Sequence, residues 1–161
     1  MRSIALDQFT IGDGRLFFIA GPCVIESLDA TMAVAADLSK LADKWDLPLL
    51  FKSSYDKANR TSHSSFRGPG LEEGLEILAT VRRQFNLPVL SDVHSVKEVE
   101  SAAEVLDVIQ IPAFLCRQTD LVMAAAESGK PINLKKGQFL APWDMANAVA
   151  KVQATGNQKI L

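Results

Sequence analysis

The sequence predicts an α/β fold built on a parallel sheet. Short, largely apolar runs recur at residues 16–20, 47–51, 88–94, 105–111 and 131–135. Between them lie longer stretches whose apolar residues fall at helical spacing. Strands buried on both faces and separated by amphipathic helices make a parallel sheet with helical cover.

Residues 1–15 read as a hairpin. Ile4 and Leu6, then Phe9 and Ile11, are spaced by two within each arm, and Gly12-Asp13-Gly14 is a turn signal. Residues 16–20 form the first barrel-type strand, ending at Gly21-Pro22-Cys23. Ser27 is placed to cap the next helix, with Asp29 in its first turn. Val34, Leu38, Leu41 and Trp45 mark its apolar face. Pro48 opens the second strand. Leu71, Leu75, Leu78 and Phe85 give the second helix its apolar face, and residues 88–94 are the third strand and its end. Ser95 and Glu98 make a capping box at the start of a third helix. The fourth strand, 105–111, stops at Pro112. Thr119 caps the fourth helix, which stops at Gly129. After the fifth strand, Pro142 sits in the first turn of a fifth helix that Gly156 ends. Lys159-Ile160-Leu161 begins a sixth strand.

Two architectures fit this order: an open doubly wound sheet, and a (β/α)8 TIM barrel, which takes about 250 residues. A strand barely begun at Leu161 favours the barrel. The expectation is one incomplete barrel domain over residues 1–161, with the hairpin at 1–15 and the units from the first to the start of the sixth at 16–161.

Composition excludes several classes. The 161 residues suit one domain, and 48% hydrophobic with 22% charged residues are ordinary globular values. A net charge of −2 argues against general nucleic-acid binding. Two cysteines give no disulfide framework. No apolar run has membrane-spanning length, and the first ten residues lack the apolar core of a signal peptide. A cytoplasmic setting, with no membrane partner, is expected.

The chemistry concentrates in residues 52–70, a loop between the second strand and second helix. It holds Lys52, Lys57, Arg60 and Arg67 against one acid, Asp56, with Asn59, Thr61 and several serines. A solvated basic loop is the bland reading. Its length and its place after a strand favour a site for an anion, with Arg beside Thr suited to phosphate. Other polar residues fall at strand ends: Cys23, Asp92 with His94, Gln110, Lys135 and Lys136. In a barrel these converge on one rim. An excess of cations there, in an acidic chain, implies a small multiply anionic substrate. Cys23 reads equally as a small hydrophobe or a ligand. Asp92 and His94 suit metal binding or proton transfer, or simple hydrogen bonding to the next helix. Lys135 also suits a Schiff base. Cys116 reads as filler, His63 as solvated, and Met123 with residues 124–126 as helix packing.

These residues lie in longer motifs: Ala20-Gly21-Pro22-Cys23, Phe51-Lys52-Ser53-Ser54, Asp56-Lys57-Ala58-Asn59-Arg60-Thr61-Ser62, Arg67-Gly68-Pro69-Gly70-Leu71-Glu72-Glu73-Gly74, Ser91-Asp92-Val93-His94, Gln110-Ile111-Pro112-Ala113-Phe114-Leu115, Arg117-Gln118-Thr119-Asp120-Leu121 and Asn133-Leu134-Lys135-Lys136-Gly137-Gln138-Phe139. In them the chain resembles the 3-deoxy-D-manno-octulosonate 8-phosphate (Kdo-8-phosphate) synthases, from Phe17 to the last residue. The resemblance implies a (β/α)8 barrel closed below by an N-terminal hairpin, and a condensation of phosphoenolpyruvate with D-arabinose 5-phosphate in lipopolysaccharide biosynthesis. It implies that Lys57 and Lys135 hold phosphoenolpyruvate, with Lys52, Ser54, Gln110 and Ala113 in the same pocket. Asn59 would bind sugar hydroxyls, and Arg60 and Thr61 the sugar phosphate. The family often has Ser at Thr61. Arg117 would reach the sugar phosphate of a neighbouring subunit in a homotetramer, and Asp92 and His94 would lie between the substrates. Cys23 implies the metal-dependent subclass and a divalent metal whose other ligands, a His, a Glu and an Asp from later strands, are absent from this sequence. The 161 residues alone are therefore expected to be inactive. The related DAHP synthases, which use erythrose 4-phosphate, carry Lys-Pro-Arg in place of the Lys57-Ala58-Asn59-Arg60 stretch. A non-catalytic phosphosugar-binding module is the alternative outside catalysis.

Overall fold

The computed structural model describes residues 3–161; Met1 and Arg2, the start of the expected hairpin, lie outside them. An antiparallel pair opens the chain, β1 (Ile4–Ala5) with β2 (Thr10–Ile11). Five parallel strands follow: β3 (Phe18–Ala20), β4 (Leu49–Lys52), β5 (Val89–Asp92), β6 (Val108–Ile111) and β7 (Ile132–Leu134). They pair in chain order, so the sheet is curled like half a barrel rather than doubly wound. Helices α1 (Leu28–Trp45), α2 (Leu71–Phe85), α3 (Val99–Val105), α4 (Thr119–Glu127) and α5 (Met145–Ala154) make the crossovers. Ile160 bridges to Ile132, so the expected sixth strand begins on β7's free edge.

The period-2 alternation of a strand decides where the core and the site sit. Leu49 and Phe51, Ile109 and Ile111, and Ile132 and Leu134 face the helices in the main core. Their neighbours face the other way. Leu50, Leu90 and Val108 form a second apolar cluster, covered by Leu6 and Phe9 of the hairpin segment. Lys52, Asp92 and Gln110 follow two residues on along the same strands. The concave face thus has an apolar floor near the hairpin and a polar end at the strands' carboxyl termini.

Several local expectations needed correction. In α1 the buried stripe is Thr31 and Ala35, with Leu38 and Ala42 against the core, whereas Val34, Leu41 and Trp45 are exposed. Each of these lies three residues after a member of the buried stripe, so the true face is turned by about 60°. Small residues there let α1 sit close to β4 and α2. The Ser27 cap is present, its Oγ accepting from the Ala30 N–H at 3.2 Å. The Ser95–Glu98 box is not: Ser95 makes no side-chain cap bond, residues 96–98 form a 3₁₀ turn, and Glu98 turns back towards Ser95 and His94. Thr119 is the first residue of α4 rather than its cap, and Gln118 at the cap offers no side-chain bond. Val105 ends α3 and does not start β6. Leu16, placed in the first strand from sequence, precedes β3 and is exposed.

One close approach ties α2 to the sheet. Gly74 is buried on α2, and a Cβ built on it would lie 2.2 Å from Cβ of Tyr55, itself fully buried. Gly74→Ala must therefore move either α2 or Tyr55. The expected loss is about 1–3 kcal/mol, as for overpacked cores, read from the denaturant midpoint; an unchanged midpoint would refute the contact.

Candidate active site

Beyond the carboxyl ends of β4, β5, β6 and β7 the polar end of the concave face opens into a cavity of about 580 Å³. Lys52 and Asp92 reach it from the strand ends, and Gln110 from β6. Lys57, Asn59 and Arg60 enter from the long loop, and His94, Ala113 and Lys135 from the loops after β5, β6 and β7. The sequence-derived set thus converges, apart from four residues. Ser54 is fully buried beneath the lysines rather than on the wall. Thr61 is exposed and lies off the lining, as is Arg117, whose carbonyl accepts from Lys151 Nζ at 2.9 Å. Cys23 is exposed after β3 and lies off the lining.

The interactions under the cavity form one connected junction. Ser54 Oγ accepts from Lys52 Nζ at 2.7 Å and from Lys57 Nζ at 2.9 Å. Both lone pairs of the hydroxyl are then used, so its proton goes to Asp92 Oδ1, with which it makes a short hydrogen bond. Lys52 Nζ is itself 3.6 Å from Asp92 Oδ1. His94 Nε2 sits 3.2 Å from the other oxygen, Oδ2. On the far side of the ring, Nδ1 is 3.4 Å from Glu98 Oε2, an ion-pair distance. The junction depends on close packing of β3 on β4: a Cβ on Gly21 would fall 2.1 Å from the Lys52 carbonyl oxygen.

These contacts set the charges. Burial resists ionisation of Asp92, but the His94 bond, the Lys52 charge and the Ser54 bond outweigh it and hold the carboxyl well below its ordinary range. Burial likewise opposes protonation of His94, yet Asp92 and Glu98 raise it to about 9. Glu98, despite its own burial, is lowered to about 2, chiefly by the His94 ring beside it and the bond from Tyr55. Burial lowers Lys52, and Lys57 adds to that, while Asp92 partly offsets it. The cavity therefore presents a protonated imidazole and lysine side chains above a buried, fully engaged carboxylate. That arrangement attracts anions.

Three contributors were not singled out from sequence. Glu98 was read only as a cap residue. Tyr55 stands among the loop's polar residues but is buried, donating to Glu98 at 2.6 Å. Asn133 stands opposite Gln110 in register and donates to its Oε1 at 3.0 Å, fixing the amide; its place mid-strand in an apolar run was the available signal.

A metal fits these residues poorly on their own. Cys23 offers one thiolate, and among the described residues no three His, Cys, Asp or Glu side chains gather as a metal site. A catalytic metal takes three or four protein ligands.

The DAHP synthetase I family model matches residues 3–161. The chain belongs to the DAHP synthetase I family. Among its curated relatives, it is 58% identical to the 2-dehydro-3-deoxyphosphooctonate aldolase of Trichlorobacter lovleyi, over 99% of this chain and 59% of that protein. Proteins of the same name from Geotalea daltonii and Geotalea uraniireducens are 59% and 62% identical, over 100% of this chain and 60% of each. The chain spans about 60% of the length of the curated relatives it matches. Within this DAHP synthetase I family chain, none of the described helices is long and apolar enough to cross a membrane.

The junction makes stability depend on pH in a defined way. His94, raised from 6.5 to about 9, contributes in full below pH 6.5, and its contribution is lost as pH rises through 9. Glu98, lowered from 4.5 to about 2, contributes in full above pH 4.5 and loses that contribution as pH falls towards 2; Asp92 acts in the same sense. The junction's stabilisation is expected to be greatest from pH 4.5 to 6.5. Melting temperatures followed from pH 4 to 9.5 should fall on the alkaline side, and Asp92→Asn should flatten that fall. An unaltered alkaline limb in Asp92→Asn would exclude the His94–Asp92 pair as its source.

Proposed function

We propose that this protein condenses phosphoenolpyruvate with D-arabinose 5-phosphate, forming 3-deoxy-D-manno-octulosonate 8-phosphate and inorganic phosphate for lipopolysaccharide biosynthesis. The observation that carries this reading is the convergence of Lys52, Lys57, Arg60 and Lys135 on one cavity, with Asn59 between them, in a chain of net charge −2. Relatives near 60% identity bear the name of an enzyme of the corresponding eight-carbon sugar acid phosphate. The reading belongs to the protein over the relatives' full length, in which β3 and β7 would be joined into a closed (β/α)8 barrel. A cytoplasmic homotetramer is part of the same proposal, with Arg117, outside the cavity, reaching a neighbouring subunit.

In this account Lys57 and Lys135 hold phosphoenolpyruvate, beside Lys52, Gln110 and Ala113. Arg60, with Thr61, takes the sugar phosphate, and Asn59 the sugar hydroxyls. C3 of phosphoenolpyruvate attacks the aldehyde carbon, the new C–C bond drawing electrons from the enol double bond and leaving C2 cationic. Water adds at C2 and gives up a proton. The resulting tetrahedral centre expels phosphate to give the keto product. The aldehyde oxygen takes up a proton as it becomes a hydroxyl, matching the one water gives up, and His94, which lines the cavity, would supply it. The cations hold two mutually repelling anions in register, so the gain is largely proximity and electrostatic stabilisation. We propose Cys23 as one ligand of a divalent metal completed by ligands other than those described here; such a metal would act as a Lewis acid or orient a bound water.

The DAHP synthase alternative is disfavoured by Asn59 and by the relatives' names; the Schiff-base reading of Lys135 has no further support. The test is phosphate release from phosphoenolpyruvate by the product of the full reading frame, with either sugar phosphate, before and after chelation. Release is expected with arabinose 5-phosphate only, and to be lost on chelation. Release with erythrose 4-phosphate only would overturn the substrate assignment, and release that survives chelation would overturn the metal. A second expectation concerns Ser54→Ala, which removes the acceptor shared by Lys52 and Lys57. Its KM for phosphoenolpyruvate should rise at least tenfold, about 1.4 kcal/mol; an unchanged KM would show that the lysines are placed without it.

A further inference from the structure

We propose that Glu98, itself held by Tyr55, is a positioning residue that pins His94 against Asp92. The proposal rests on the placement of His94 in the substrate cavity described above. Neither Glu98 nor Tyr55 lines that cavity; both act through the histidine.

The geometry is specific. Glu98 Oε2 accepts from the Tyr55 hydroxyl at 2.6 Å and from the His94 backbone N–H at 2.9 Å, and it lies 3.4 Å from the ring's Nδ1. Oε1 accepts from Ser95 Oγ at 2.9 Å. One carboxylate thus bonds the backbone N–H of residue 94 and stands at ion-pair distance from the ring's Nδ1, which has no hydrogen-bond partner among the described residues. Tyr55 meets the same ring edge-on, with centroids 5.7 Å apart and planes at 86°. Tyr55 cannot retreat, because Gly74 of α2 packs on its Cβ and its carbonyl accepts from the Gly70 N–H at 3.1 Å. The Gly70-to-Gly74 stretch, which the proposed catalysis does not otherwise use, is the wall behind this tyrosine. Burial and the Glu98 bond keep the Tyr55 proton in place, so it remains a donor.

The groups facing His94 are then Asp92 from β5, Glu98 from the 3₁₀ turn and Tyr55 from the loop after β4, with Lys52 behind Asp92. Glu98 on one side directs Nε2 to Asp92 Oδ2 on the other. That leaves Asp92 Oδ1 for Ser54, and Ser54 Oγ for the two lysines. Loss of the Glu98 charge would free the ring to turn and would remove one of the two carboxylates that stabilise the imidazolium.

The test is an NMR titration of the imidazole nitrogens in the unaltered protein, in Glu98→Gln and in Tyr55→Phe. The chain has two histidines, and exposed His63 is the internal reference. In the unaltered protein His94 should stay doubly protonated through pH 8. Its midpoint should fall by about one pH unit or more in Glu98→Gln, and by less, in the same direction, in Tyr55→Phe, while His63 stays fixed. A His94 that is neutral at pH 8 in the unaltered protein, or midpoints unmoved in the variants, would overturn the proposal. If Glu98→Gln does not fold, Tyr55→Phe, which removes one oxygen and keeps the ring, and the unaltered protein still decide it. In turnover, Glu98→Gln should lower kcat at least tenfold with KM within twofold, and shift the alkaline limb of the kcat profile to lower pH. Absence of turnover with either sugar phosphate would defeat the proposed function and leave the titration as the judge of this pairing.

Discussion

The carboxylate of Asp92 is the constraint on which this end of the molecule depends. It is almost wholly buried at the end of a central strand, and a buried charge survives only when paired and hydrogen-bonded. Its partners come from β4, from the residues just after β4 and from the loop after β5. Meeting its demand fixes Ser54, and Ser54 fixes two lysines. The same demand fixes His94, whose other side is met by Glu98. A single desolvated charge thereby orients the cations that face the cavity, and does so before any ligand arrives. Breaking one partner would leave the others with unmet polar atoms, so the junction is expected to fail as a unit.

The sheet's alternation supplies the stage. Leu50, Leu90 and Val108 fill the concave floor under Leu6 and Phe9, which excludes water from below. One strand-repeat further on, Lys52, Asp92 and Gln110 begin the polar region. A one-residue slip in β5 would put Asp92 among the helices and Val93 in the cavity, so the registers of β4, β5 and β6 are held by the site's polar contacts as well as by the core. The long loop is anchored at its base by Asp56 with Arg67 and by Lys57 N–H donating to the Arg67 carbonyl. Its basic tip therefore projects from a fixed root.

Much of this was legible in the sequence. The strands announced themselves because parallel strands are apolar on both faces, and the basic loop because it follows one of them. The convergence of Lys57, Asn59, His94 and Lys135 followed from where strands end. What stayed hidden depended on distance in space. Glu98, four residues after His94, looked like a capping residue; the tertiary pull of Tyr55 and the histidine turned it back. The face of α1 was misjudged because large apolar residues outweigh Thr31 and Ala35 in any pattern, although small residues suit close packing. Ser54 gave no sign that it would sit under two lysines. Thr61 and Arg117, assigned through resemblance, do not line the cavity.

A crystal structure of the protein with phosphoenolpyruvate would test the central claim most directly. The ligand should lie in the cavity beyond β4 to β7, with its anionic oxygens within hydrogen-bond distance of Lys57 and Lys135 Nζ, and the Ser54–Asp92–His94 junction should stay unmoved beneath it. A ligand bound elsewhere, or a junction that comes apart to admit it, would contradict the view that this buried carboxylate pre-arranges the site.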